Sequence, residues 1–176
     1  MASRKPDILF MMTDQQRWDT IAAMGNGCIC TPNLDRLVRR GVSFTNAYSC
    51  CPVCVAARYA IRTGREPLTT RSFTNDVMRP GAGQPAGIEE RCGPYLARTM
   101  WKLGYRTFGI GKFHSVPRYE DLGYETHLRS EELSGSPDDR QRDAFAGFIR
   151  EQHPEFDWIE QVMGEPGAAA IAGARA

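Results

Sequence analysis

Three features of this 176-residue sequence predict an α/β fold built on a mostly parallel sheet flanked by helices. Short apolar runs alternate with amphipathic helical stretches, the order expected of helices laid on a sheet. The run Ile8-Leu9-Phe10-Met11-Met12 is apolar without a break, as in a strand buried on both faces. Polar clusters follow the predicted strands or open the predicted helices, where open α/β sheets collect their ligands.

Taken in order, Ile8 to Met12 is the first predicted strand, with Asp14 and Gln15 at its carboxyl end. Thr31-Pro32 opens a helix with proline at its first position; Leu34, Leu37 and Val38 share a face, and Gly41 stops it. Val42 to Tyr48 alternates apolar with polar residues and reads as a second strand. A helix is predicted from about Cys54 to Gly64. Residues 65–93, rich in Gly, Pro, Thr and Arg, read as a long excursion of the kind that is usually functional or mobile. Pro94 opens a helix with Leu96, Met100 and Leu103 facing inward and Gly104 as its stop. Tyr105 to Ile110 is a strand ending in Gly111-Lys112-Phe113-His114. A weaker helical pattern runs through Phe145, Phe148 and Ile149 within residues 138–152. Residues 167–176 are rich in Ala and Gly, with no core face, and read as a disordered tail.

Composition narrows the function. A formal net charge of +1 supplies no electrostatic reason for a nucleic-acid or anionic-membrane partner. No apolar run approaches the roughly 20 residues that span a bilayer. Ile8–Met12 is also too short for the apolar region of a secretory leader, so a cytoplasmic location is expected. Six cysteines at 28, 30, 50, 51, 54 and 92 then read as reduced thiols.

The chemistry concentrates in three clusters. Cys54 and Arg58 lie one helical turn apart and share a face, and helical side chains lean toward the N-terminus, so Arg58 reaches back over position 54. Free backbone N–H groups at a helix start favour an anion there. Asp14 offers a hard oxygen ligand for Ca²⁺ or Mg²⁺. Lys112 and His114 suit an anionic substrate and proton donation to a leaving group. Spacing leaves plainer readings open: a buried cysteine beside a surface arginine, a capping aspartate, a solvated lysine and a hydrogen-bonded histidine.

Longer motifs add to this. Cys54-Val55-Ala56-Ala57-Arg58, followed by Thr63-Gly64-Arg65, resembles the nucleophile motif of the type I sulfatases, Cys-x-Pro/Ala-Ser-Arg and then Thr-Gly-Arg. Thr31-Pro32-Asn33-Leu34-Asp35-Arg36-Leu37, Gly41-Val42-Ser43-Phe44-Thr45-Asn46-Ala47-Tyr48 and Gly111-Lys112-Phe113-His114 are similar to that family's flanking blocks. The resemblance implies an alkaline-phosphatase-like sheet, of which residues 1–166 are an incomplete N-terminal portion followed by the 167–176 tail. It implies a sulfuric ester hydrolase acting on a small-molecule or saccharide sulfate ester. Cys54 would be oxidised to formylglycine by a maturation enzyme and hydrated, and one hydroxyl of the diol would attack the ester sulfur. Arg58 would hold the diol, Lys112 the sulfate oxygens, and His114 would assist breakdown of the intermediate. Asp14, Gln15 and the group at position 54 would ligate a divalent metal, Ca²⁺ first, with Mg²⁺ or Mn²⁺ as alternatives.

The sequence departs from the family pattern at Gln15, where a second Asp is frequent, and at Ala57, which replaces the motif's Ser. The Asp-Gln pair is similar to the phosphonate monoester hydrolase-like branch, so hydrolysis of phosphonate monoesters or phosphodiesters is the alternative reaction. A Cys-x-x-Cys zinc or redox module on Cys51 and Cys54 is the alternative of a different class. Relatives in the family are much longer, and the 176 residues alone are expected to be inactive.

Overall fold

The computed structural model describes residues 5–75, 87–131 and 141–156. It divides into two compact units, Met1–Tyr48 and Ser49–Ala176.

In the first unit a 3₁₀ turn, Ala22–Met24, packs against helix α1, Pro32–Arg40. Proline stands in the first turn of α1, and the Gly41 N–H closes the helix on the Leu37 carbonyl at 2.9 Å. Thr31 and Asp35 join turn to helix. Thr31 Oγ1 accepts the Ala22 N–H and donates to Asp35 Oδ1, both at 2.8 Å, and Asp35 Oδ1 accepts the Ala23 N–H at 2.9 Å. These bonds, the Ala23 amide foremost, hold the Asp35 carboxyl below its usual range.

Neither predicted strand of this unit forms. Ile8–Met12 and Val42–Tyr48 pair with no strand among the described residues. Leu9 is 80% and Val42 82% exposed. An apolar run becomes a strand only when a neighbour takes its N–H and C=O groups and layers cover its faces, and the partners within this unit are a 3₁₀ turn and one short helix.

The second unit carries the core. Helix α2, Cys54–Thr63, ends on Gly64, whose φ of +65° suits the left-handed cap that glycine adopts at least cost. The short helices α3, Pro67–Thr70, and α4, Ile88–Cys92, lie within the predicted excursion, and α5, Leu96–Lys102, packs on α2. Strand β1, Phe108–Gly111, pairs in parallel with β2, Thr126–Arg129, and α6, Ala144–Gln152, lies against β2. The parallel pair and its covering helices confirm the α/β class.

Val55, Tyr59, Ile88, Cys92, Tyr95, Phe113, Val116 and Leu122 form the core. Val55 and Tyr59, one turn apart, place the buried face of α2 on it. Helix α5 docks differently from its predicted face: Tyr95 and Ala97 are buried, whereas Leu96 and Leu103 are about half exposed. The helix starts two residues later than Pro94 suggests, and its Leu96 face lies outward. Ala146 similarly replaces Phe145 and Phe148 as the buried residue of α6. All six cysteines are free thiols, as expected. The predicted tail, residues 167–176, lies outside the described residues.

Candidate active site

Helix α2 starts at Cys54, which is half-buried in the helix's first turn. The next amide, that of Val55, donates to Asn75 Oδ1 at 3.0 Å. Asn75 therefore caps one of the orphan N–H groups beside Cys54, from 20 residues further along the chain.

Arg58 and Arg62 stand one turn apart on the buried face of α2. Their spacing matches two consecutive carbonyls of the loop after β1: Arg58 Nη1 donates to the Lys112 carbonyl and Arg62 Nη2 to that of Phe113. Arg62 also lies over the rings of Tyr59 and Phe113, at 5.3 and 5.9 Å from their centroids. Burial of its guanidinium pulls its pKa down.

Strand β1 leads into this loop through two glycines. A Cβ at Gly109 would stand 2.9 Å from the rings of Phe113 and Tyr124, so only glycine lets the strand pass so close. Gly111 turns the chain with φ +103°, and His114 follows in the left-handed region at φ +49°. Phe113 is buried, while Lys112 and His114 on either side of it are half-exposed. The Phe113 and His114 amides both donate to the carboxylate of Glu131, at 3.0 and 2.8 Å.

Behind the loop, polar groups brace α2 against the segment that follows. The Tyr59 hydroxyl accepts the Val116 N–H at 2.8 Å and lies 2.8 Å from Glu120 Oε2. Tyr95 donates its hydroxyl to Glu120 Oε1 at 2.6 Å. Burial raises both phenols well above the ordinary range, so they stay protonated donors. His127 packs edge-on against Phe113, centroids 4.2 Å apart. Burial, reinforced by Arg129 and Arg62, pulls its pKa down to about 4.

Of the predicted site residues, Cys54, Arg58, Lys112 and His114 all lie in the second unit, and the Arg58–Lys112 bond joins their two segments. Asp14 and Gln15 lie in the first unit, both exposed, with Gln15 at φ +54°. They are adjacent hard oxygen donors, the right kind for Ca²⁺ or Mg²⁺. No group of three His, Cys, Asp or Glu that could hold a metal occurs among the described residues. The donors thus fit a hard cation in kind but fall short of its usual number.

Sequence reasoning missed Arg62, Asn75 and Glu131. Arg62 was detectable, because it repeats the Arg58 position one turn later on the same helix. Asn75 and Glu131 reach the site only through long-range packing.

The family model for sulfatases matches residues 6–154. The chain belongs to the sulfatase family. By family it is related to sulfatase-type hydrolases. Among curated relatives, it is 38% identical over 62% of its length to an ulvan-active sulfatase of Formosa agariphila. It is 31% identical over 84% of its length to an arylsulfatase of Clostridium perfringens, and 33% over 64% to a human N-acetylgalactosamine-6-sulfatase. These matches cover 20%, 31% and 22% of the three relatives. No helix among the described residues of this sulfatase-family chain is long and apolar enough to cross a membrane.

Proposed function

We propose that the protein hydrolyses sulfate esters with a formylglycine nucleophile made from Cys54 by a maturation enzyme. The observation that carries this reading is the bond from Arg58 to the Lys112 carbonyl. It ties the helix that begins with Cys54 to the loop bearing Lys112 and His114, as one site requires.

Each side chain then has a task. Residue 54, at the start of a ten-residue helix, meets the positive end of the helix dipole, which favours an approaching sulfate. Oxidation of its side chain to an aldehyde and hydration supply a hydroxyl nucleophile. Arg58 offsets negative charge beside that hydroxyl, and its fork of five donors can serve both the loop carbonyl and an anion. Lys112 holds sulfate oxygens, and His114 handles the proton when the intermediate breaks down. A divalent cation, Ca²⁺ before Mg²⁺ or Mn²⁺, would draw on Asp14 and Gln15; when bound it supplies Lewis acidity. The relative named for N-acetylgalactosamine 6-sulfate supports a saccharide sulfate as substrate.

The test is peptide mass spectrometry across residues 49–62 after co-expression with a formylglycine-generating enzyme, followed by aryl sulfate turnover in the full-length protein. Conversion of Cys54 with metal-dependent turnover, both abolished in Cys54→Ala, is the expected result. An unmodified thiol under these conditions contradicts the proposal.

A further inference from the structure

We propose that Glu131 is a positioning residue for Lys112 and His114, setting the shape of their loop without touching the substrate. This inference rests on the hydrolase reading above. The geometry is a two-pronged clasp: Glu131 Oε1 accepts the Phe113 amide at 3.0 Å and Oε2 accepts the His114 amide at 2.8 Å.

The parallel register places Glu131 there. Gly111 is paired with Arg129, and the Ser130 amide donates to the Gly111 carbonyl at 3.0 Å. Two residues past the pairing on one strand stands Phe113; two residues past it on the other stands Glu131. The carboxylate therefore meets the loop as a continuation of the ladder. Its own backbone is fixed in turn, because the Glu131 amide donates to Asp143 Oδ2 at 2.9 Å. Asp143 is buried and caps α6 through Oδ1, which accepts the Ala146 amide at 2.9 Å.

The loop needs such a clasp. His114 holds φ +49°, a strained region for a non-glycine residue that persists only where its surroundings hold it. Consecutive N–H groups in such a turn form an anion-binding concavity, and here the anion is the protein's own carboxylate. The carbonyls of Lys112 and Phe113 are held from α2 by Arg58 and Arg62. Three ionic side chains thus fix four backbone groups of three consecutive residues, with Phe113 anchored in the core between Lys112 and His114. Glu131 acts on those two side chains only through the main chain.

The test is Glu131→Gln, which keeps one acceptor and the side-chain volume, in the full-length protein matured at Cys54. We expect kcat for an aryl sulfate to fall on the order of 10- to 100-fold, the range a misplacement of about 1 Å produces, with KM changed less than about threefold. The Phe113 and His114 amides should exchange hydrogen faster while the amides of α2 keep their rates. Unchanged kcat, unchanged exchange at these two amides, or a kcat loss matched by faster exchange throughout α2 would overturn the proposal. A matured wild type that hydrolyses no sulfate ester removes the hydrolase reading and the catalytic role of Glu131 together. The exchange rates at residues 113 and 114 then still decide whether Glu131 holds the loop.

Discussion

Arg62, buried in helix α2, donates to the main-chain carbonyl of Phe113, a residue 51 positions later in the chain. Its neighbour one turn earlier, Arg58, does the same for Lys112. Helical spacing on one side and consecutive residues on the other make a two-point attachment between the start of the candidate site and its far wall.

Arg62→Met should therefore destabilise the protein more than a surface arginine would. It leaves the Phe113 carbonyl unsatisfied and removes a cation from the rings of Tyr59 and Phe113. The expected loss is about 2–3 kcal/mol, measured by denaturant unfolding. A loss under about 0.5 kcal/mol would show that the attachment contributes little.

The two tyrosines on Glu120 should not be equivalent. Tyr95→Phe removes one donor to the carboxylate and should cost about 1 kcal/mol. Tyr59→Phe also strands the buried Val116 amide and should cost about 2–3 kcal/mol. Thermal melts of the two variants in parallel check the order; a larger effect at Tyr95 would contradict it.

His127 should make stability depend on pH in mild acid. Its folded-state pKa, about 4, lies below the ordinary value of 6.5, so the fold favours the neutral ring. Above about pH 6.5 neither state binds the proton. Between pH 6.5 and 4 the unfolded chain takes it up and the folded chain does not, so stability falls as pH falls. Allowing for the half-exposed ring, the share due to His127 is about 1–2 kcal/mol. His127→Phe should remove that share, seen as a smaller difference in unfolding free energy between pH 7 and pH 4; an identical pH difference in the variant would exclude the assignment.

Local codes explain what was legible. Proline after Thr31, glycine after Thr63 and the repeating apolar face of α2 act through backbone dihedrals and nearest turns, so α1 and α2 appear where the sequence places them. The motif residues Cys54, Arg58, Lys112 and His114 were legible for a related reason: each belongs to a short contiguous block. The predicted strands at Ile8–Met12 and Val42–Tyr48 were not secure, because pairing depends on a neighbour that no local pattern specifies.

The amino-acid pattern alone carries the family, the starts and stops of α1 and α2, and the reactive residue types at each cluster. Folding alone brings Arg58 and Arg62 onto consecutive carbonyls, Asn75 onto the helix beginning at Cys54, and Glu131 onto the loop between Lys112 and His114. Those contacts bridge 17 to 54 residues of chain. They follow from strand register and helix docking, which depend on the packing of the whole core and not on any window of the sequence.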